Sequence, residues 1–510
     1  MRLNRREFLK LAGLAAAAQM PARRLWAAGD VKATEAPTAG GAPGKAAKPN
    51  ILFFFPDQHR YDWTSMNPAL PDITPNLKKL AARGVHFSNA VCASPLCAPS
   101  RACLACGKEY QRCGVGGNNG IYPVEQTTFY SLLKAAGYHT LGCGKFDLAK
   151  PSHSWGADGK QKVKGGPSKL EQWGFTDGID NAGKMDGWTG HRAGLGEPYF
   201  AYLQSKGLVE AYQKNYKLLD HDYDGPAVLS DEAYGDNWIA RNGLELIKAV
   251  PKGTPWFIQI NFNGPHEPMD ITKSMYEKFK NVKFPPPVDG DGSATTEKKR
   301  RNYGAMIYNI DHWLGVYIDE IAKRGELDNT IIVYCSDHGD MLGDHGQWGK
   351  TKPRHASAAV PLVMAGPGVA DGVSCPAPVE TMDLVATFLD YAGLDKPADM
   401  DSISMRPFLG GAGKLPRSIV RSALGGWVLV FDGQYKLISG SQGNQGGKGK
   451  NRKAGKKNAD AGQAKDSQAG QDKGLVLYDL KNDPGEITDV AAKHPDVVER
   501  LKPLLPPVGQ

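Results

Sequence analysis

Nothing past residue 30 approaches the roughly 18 uninterrupted apolar residues that a membrane-spanning helix needs, which excludes a membrane bundle. Cysteine is sparse, eight in 510 residues, and five of the eight crowd into Cys92, Cys97, Cys103, Cys106 and Cys113. That crowding is too dense for a disulfide scaffold. The spacing Cys97-x5-Cys103-x2-Cys106-x6-Cys113 holds a single Cys-x2-Cys and matches no common zinc or iron–sulfur pattern, so most of these read as small buried residues. Basic excess is missing from the body of the chain despite a net charge of +8. Six Arg/Lys against Glu7 in residues 1–28 and eight against Asp460, Asp466 and Asp472 in residues 442–474 are each a net +5, leaving the rest at −2. A nucleic-acid footprint is therefore unsupported. What is present, 41% hydrophobic and 23% charged residues with 61 Gly and 35 Pro, describes a loop-rich globular protein. No internal repeat is visible.

The N-terminal basic block has a pattern of its own. Asn4-Arg5-Arg6-Glu7-Phe8-Leu9-Lys10 followed by the alanine-rich stretch Leu11 to Ala18 is a twin-arginine pair ahead of a short, mildly apolar segment. It resembles a Tat signal peptide over residues 1–28, cut near Ala27 or Ala28. The implied protein is bacterial, exported already folded by the Tat machinery, and periplasmic or extracellular. Residues 29–48, rich in Ala, Gly, Pro and Thr, read as a flexible leader.

From residue 49 to about 415, apolar runs alternate with helical periods, predicting an α/β domain: a large, mostly parallel sheet sandwiched by helices. Strands are expected at Ile51–Phe55, His139–Cys143, Trp256–Phe262, Thr330–Ser336 and Val360–Ala365. Helices are expected after the Thr74 cap with Pro75 in the first turn, over Phe129 to Ala136, and around Tyr303–Lys323. Residues 155–250 read as loops whose Trp155, Trp173, Trp188 and His191 offer either sugar-stacking surfaces or core. Residues 416–510 change to hairpin texture, with Trp427–Phe431, an Asp432-Gly433 turn and Tyr435–Ile438, then Leu475–Leu480 and a short helix over Pro495–Leu504. This predicts a small antiparallel C-terminal subdomain. Its insertion 441–474, built of Gly, Lys, Asn, Gln, Ala, Asp and Ser, cannot bury enough apolar surface to order itself.

Ionisable residues sit just past the carboxyl ends of four strands, where open α/β sheets build their sites. Asp57-Gln58 follows the first, Lys145 the second, His266 the third and Asp337-His338 the fourth. Two aspartates with an amide and an imidazole form an oxygen-rich set suited to a hard cation, while lysine and histidine alongside suit an anionic substrate.

Cys97-Ala98-Pro99-Ser100-Arg101-Ala102-Cys103-Leu104-Ala105-Cys106-Gly107 resembles the signature of the type I sulfatases of the alkaline-phosphatase superfamily, whose cysteine is oxidised to formylglycine before folding. Further matches follow in order: Pro49-Asn50-Ile51-Leu52 running into Asp57, Thr74-Pro75-Asn76-Leu77 with Gly84-Val85-His86-Phe87, and Gly137-Tyr138-x-Thr140 running into Gly144-Lys145. Pro265-His266-x-Pro268, Ser336-Asp337-His338-Gly339 and Lys350-x-x-Pro353 continue the series, and Leu477-Tyr478-Asp479-Leu480 with Asp483-Pro484-x-Glu486 closes it. The resemblance implies a sulfuric ester hydrolase, a sulfatase that removes sulfate from an organic ester, by export a sulfated polysaccharide or oligosaccharide. Its metal ligands would be Asp57, Gln58, Asp337, His338 and the modified Cys97, with calcium as the ion. Arg101 would hold the formylglycine, Lys145 and Lys350 would clamp the sulfate, His266 would sit near the leaving oxygen, and Asn118 would touch the substrate. A formylglycine-generating maturation enzyme is the implied partner.

The chain also departs from that pattern. Where relatives commonly carry Gly-Lys-Trp-His it has Gly144-Lys145-Phe146-Asp147, so Asp147, or nearby His153, is the expected base for sulfate release unless Asp147 only positions Lys145. Arg354-His355 replaces a frequent Tyr-Glu pair and is a specificity candidate. The competing activity is a phosphonate monoester or phosphodiester hydrolase of the same superfamily, against which Lys145 leans, because those enzymes tend to carry neutral hydroxyl side chains there.

Overall fold

Strand β1, Asn50–Phe54, is fully buried. Ile51, Phe53 and Phe55 join one hydrophobic cluster with Phe257, Ile331 and Val333, while Leu52 and Phe54 join another with Ile258, Ile260 and Tyr334. Apolar cover on both faces is why the run is continuously hydrophobic rather than alternating. The computed structural model describes residues 48–150, 159–160, 167–194, 196–219, 225–411, 413–415, 417–440 and 474–507, all within one unit spanning Ala47–Gln510. The expected signal 1–28, leader residues 29–47, His153, Trp155 and insertion residues 441–473 lie outside the described residues.

The remaining strands of the main sheet are β2 (Gly84–Val91), β3 (His139–Gly144), β4 (Asp177–Asp180), β5 (Trp256–Asn261), β6 (Thr330–Tyr334), β7 (Ala359–Ala365), β8 (Val373–Cys375) and β9 (Val379–Glu380). Their order is β4-β3-β5-β1-β6-β7-β2-β8, with β9 also pairing β2. Only β7 runs against its neighbours β6 and β2; every other pairing in the sheet is parallel. The expected mostly parallel mixed sheet is therefore what forms.

Helices cover both faces. Those used below are α1 (Pro75–Ala81), α2 (Cys97–Cys106), α3 (Phe129–Ala135), α4 (Gly183–Arg192), α5 (Gly235–Ala249), α6 (Ala294–Lys323) and α7 (Asp383–Tyr391). Ala98, Ala102, Leu133, Leu384 and Phe388 place α2, α3 and α7 on one face, and Leu77, Ile239, Ile247, Ile310 and Leu314 place α1, α5 and α6 on the other. Helix α6 begins nine residues before the expected Tyr303, where the Ser293 side chain accepts the Thr296 amide and caps it. Its first turns, Lys298-Lys299-Arg300-Arg301, carry too few apolar residues to register as a helical period. The stretch read as loops between 155 and 250 instead holds α4, α5 and helices at Pro198–Ser205 and Val209–Leu219. Trp173 is 1% exposed and belongs to the core, and Trp188 packs among Phe200, Tyr212 and Tyr216.

A second, four-stranded antiparallel sheet forms from β10 (Val420–Leu424), β11 (Trp427–Phe431), β12 (Tyr435–Gly440) and β13 (Val476–Asp479), in that order, matching the small antiparallel sheet expected there. All eight cysteines are free and buried. Among the described residues no helix is long and apolar enough to cross a membrane.

Candidate active site

Helix α2 starts at Cys97 with all ten of its residues buried, behind an N-cap, Leu96, that offers no side-chain cap. Asn118 supplies what Leu96 cannot: its Oδ1 accepts the Ala98 amide at 3.1 Å. Gly107 ends the helix at φ 64°, where an added Cβ would meet Ser402 Oγ at 2.9 Å. Cys97 thus occupies the positive end of a buried helix. Its Sγ lies 3.3 Å from His338 Nε2, 3.8 Å from Lys145 Nζ and 3.9 Å from Asp57 Oδ1. Burial and Asp57 push the thiol pKa up, but Lys145, Lys350 and His338 outweigh them and hold it well below its ordinary value.

Strands β1 and β6 are neighbours, so the segments leaving their carboxyl ends bring Asp57 and Asp337 together. Arg101, from the next turn of α2, grips Asp337 Oδ2 through Nε at 3.0 Å and Nη2 at 2.9 Å, and approaches Asp57 Oδ2 at 3.5 Å. Its Nη1 donates to the Lys145 carbonyl at 2.5 Å and to Asn261 Oδ1 at 3.2 Å, tying α2 to the ends of β3 and β5. Ser100 Oγ donates to the Asp337 carbonyl at 2.6 Å. His338 Nδ1 donates to the Gly339 carbonyl at 3.0 Å, which fixes the tautomer and leaves Nε2 as a ligand atom facing Cys97. Burial alone would raise Asp57, yet Lys145, His266, Lys350 and Arg101 hold it well below the carboxylate range. Asp337 is raised by burial and by Asp57.

One ligand atom each from Asp57, Cys97, Asp337 and His338 lies within 4.8 Å of all the others. That spread matches an ion with ligand distances of about 2.4 Å, the range of calcium–oxygen contacts. Two fully buried carboxylates and a lone imidazole nitrogen are a donor set that fits a hard divalent cation. Gln58 stands beside this set at φ 72°. Its Nε2 donates to Glu267 Oε2 at 2.7 Å and to Asp340, and its Oε1 accepts from Lys350 Nζ at 2.5 Å. Two carboxylates facing the amide nitrogen fix which end of the amide carries the oxygen, and that oxygen meets the Lys350 ammonium group.

Lys145 follows Gly144, whose φ of 103° and 1.9 Å Cβ clearance to the Asn261 carbonyl admit only glycine as β3 ends against β5. Lys145 Nζ then reaches Asp57 Oδ2 at 2.5 Å and Asp147 Oδ2 at 3.3 Å. Asp147 is also 3.2 Å from Lys150 Nζ, so it sits between two ammonium groups. His266 lies on a loop whose Asn263 and Gly264 amides donate to Asp236 at 2.7 and 3.1 Å, and whose His266 and Pro268 carbonyls accept from Lys184 Nζ at 3.2 and 3.1 Å. His266 Nδ1 is held by the Glu267 carbonyl at 2.6 Å, leaving Nε2 for a ligand. Burial would lower Lys350, but Cys97, Glu267 and Asp57 raise it and keep it charged.

The structure brings together Asp57, Gln58, Cys97, Arg101, Lys145, Asp147, Lys350, Asp337 and His338, with His266 among the charges that act on Asp57. Arg354 and His355 are engaged elsewhere. The Arg354 guanidinium lies 4.8 Å over the Tyr478 ring and bonds the Glu486 carbonyl, and His355 packs edge-on to Tyr61 and Phe431 at 4.6 and 5.4 Å. Burial, then Lys436 and Arg60, hold the His355 ring well below its ordinary pKa. Sequence reasoning passed over Asp340, Glu267, Asn261, Asp236 and Lys184. The first two stand beside motif residues and were legible there; Asp236 and Lys184 act from distant helices and leave no local signal.

A family model described as sulfatase matches residues 49–394. The choline-sulfatase of Rhizobium meliloti is 27% identical over 423 residues, covering 77% of this chain and 78% of that protein. A phosphonate monoester hydrolase from Silicibacter pomeroyi superposes with TM-score 0.69 at 22% identity, covering 89% of this chain and 94% of the other. A solved structure in complex with its substrate D-glucosamine-2-N,6-O-disulfate superposes with TM-score 0.66 at 20% identity, covering 90% and 96%. The chain belongs to the sulfatase family of sulfuric ester hydrolases, in the alkaline-phosphatase-like superfamily.

Proposed function

We propose that this member of the sulfatase family removes sulfate from a sulfated carbohydrate, using a formylglycine made from Cys97 and one bound calcium ion. The observation that carries the reading is the position of Cys97, at the buried start of α2 with His338, Lys145 and Asp57 all within 4 Å of its sulfur. A hydrated formylglycine at position 97 would supply two hydroxyls, one as the nucleophile toward sulfur and the other to lose its proton as the carbon–oxygen bond to sulfate breaks and the aldehyde is restored. A divalent ion would be held by Asp57, Gln58, Asp337 and His338, and would supply charge that lowers the pKa of a hydroxyl bound to it.

The remaining steps belong to side chains. Arg101, bonded to Asp337 and the Lys145 carbonyl, holds the residue at 97 in register with the metal ligands. Lys145 and Lys350 meet the charge that develops on the sulfuryl oxygens, in positions fixed by Asp57, Asp147 and Gln58 before substrate arrives. His266, its Nδ1 already satisfied, presents Nε2 to protonate the departing alkoxide. Asp147 serves Lys145 rather than accepting a proton, a role favoured by its place between two ammonium groups. His153 remains the base for sulfate release, and Asn118 shapes the site by capping α2.

Cys97 and Arg101 are 0% and 2% exposed, so a maturation enzyme can reach the motif only before the chain folds. That order suits a Tat-type leader over residues 1–28, which would carry the folded enzyme to the periplasm or beyond. A carbohydrate substrate is supported by the relative solved with its disulfated glucosamine.

Phosphonate monoester hydrolysis is the second reading, favoured by the superposition on the Silicibacter pomeroyi enzyme. A parallel assay of 4-nitrophenyl sulfate and phenylphosphonate esters decides: the sulfatase reading expects the sulfate to turn over at least tenfold faster in kcat/KM, and the reverse preference would overturn it.

A further inference from the structure

The floor and the mouth of the site differ in charge. Asp57, Cys97, Asp337 and His338 are 0% exposed, whereas His266, Glu267 and Lys350 are only partly buried. The Glu267 side chain is 47% exposed against 15% for His266. One of its oxygens, Oε2, is 2.7 Å from Gln58 Nε2 and 3.5 Å from His266 Nδ1, so the carboxylate is anchored at the rim beside the group that faces the leaving oxygen.

A carboxylate here works against binding an anionic ester. The sulfate itself is served by Lys145 and Lys350, so the repulsion falls mainly on whatever flanks the scissile oxygen. We infer that Glu267 is a specificity residue, selecting esters in which the carbon adjacent to the ester-bearing carbon carries a hydrogen-bond donor, a hydroxyl or an ammonium group, and rejecting those with a second sulfate or a carboxylate there. A carboxylate accepting a bond from a substrate donor gains a charge-assisted contact, while a second anion placed against it meets like charge in a partly desolvated mouth. Discrimination thus combines an attractive element with a repulsive one.

This inference rests on the sulfatase reading, and its test keeps the two apart. Wild-type, Glu267→Ala and Glu267→Gln proteins, each confirmed to carry formylglycine, are compared on phenyl sulfate, catechol monosulfate and catechol disulfate. The wild-type kcat/KM is expected to fall in the order monosulfate, phenyl sulfate, disulfate. Relative to phenyl sulfate, Glu267→Ala should lose about tenfold more on the monosulfate, and both variants should gain at least fivefold on the disulfate, whatever loss is common to all three esters. An equal change on all three esters would mean that Glu267 only supports Gln58 or His266, and would overturn the inference, as would no change at all. A wild-type protein that hydrolyses none of the three but cleaves a phenylphosphonate ester would overturn the sulfatase reading instead. Competitive inhibition by the same three sulfates would then read the discrimination at Glu267, with loss of the expected order again overturning it.

Discussion

Asp147 Oδ2 lies 3.3 Å from Lys145 Nζ. The same oxygen is 3.2 Å from Lys150, and Asp147 takes φ 53° to face both. Burial works to discharge Lys145, and Asp147, then Asp57, keep it protonated. Asp147→Asn is therefore expected to lower kcat/KM on an activated aryl sulfate by about tenfold through the first chemical step. Stopped-flow measurement should show a slowed single phase. A burst of phenol equal to the enzyme concentration would assign Asp147 to sulfate release instead.

The metal set makes a second prediction. Elemental analysis of active protein should find about one divalent ion per chain, and prolonged treatment with a chelator should abolish turnover and restore it on adding calcium. Asp57→Ala and Asp337→Ala should each lose the ion. Asp57→Ala also leaves Lys145 facing Arg101 without its nearest carboxylate, so the metal content, rather than activity alone, is the measurement that counts.

A third prediction concerns stability and pH. His59 is fully buried, with Nε2 donating to the Trp63 carbonyl at 2.8 Å and Nδ1 accepting from the Tyr334 hydroxyl at 2.9 Å. Both nitrogens are satisfied in the neutral ring, and burial lowers its pKa from 6.5 to about 4 despite the Trp63 carbonyl. Between those values the unfolded chain binds a proton that the folded chain does not. The contribution, about 3 kcal/mol at full extent, is therefore complete above about pH 6.5 and lost as pH falls through about 4. Urea unfolding at pH 7 and pH 4.5 should differ more for the wild type than for His59→Gln; equal differences would contradict this account.

How much of this was legible in the sequence follows from where the information lies. The strands β1, β3, β5 and β6 could be read because burial on both faces makes each a short apolar run. Asp57, Lys145, His266 and Asp337 could be read because parallel strands deliver their ends to one edge. Helix α2 could not be read as a helix: its Cys, Ala and Ser residues are buried all round, so no amphipathic period exists to mark it. The turn of Arg354 and His355 toward Tyr478 and Glu486 depends on contacts across more than a hundred residues, which no local pattern records.

The contact that turns Arg354 and His355 away makes a fourth prediction. Lys436 and Glu486 are 1% and 3% exposed and paired, and Glu486 Oε2 also accepts the His355 amide at 2.6 Å. Lys436→Met leaves a buried carboxylate without its cation and should cost about 3–5 kcal/mol. Adding Glu486→Gln, which keeps the amide bond but removes the charge, should recover most of that loss in urea unfolding.

The central claim is that the residue at position 97 acts as formylglycine. Peptide mass spectrometry across residues 97–101, on preparations whose activity toward 4-nitrophenyl sulfate is measured in parallel, tests it most directly. The account predicts that activity rises in proportion to the fraction carrying the aldehyde or its hydrate, and that Cys97→Ala is folded and inactive. A fully active preparation in which Cys97 is wholly an unmodified thiol would contradict it.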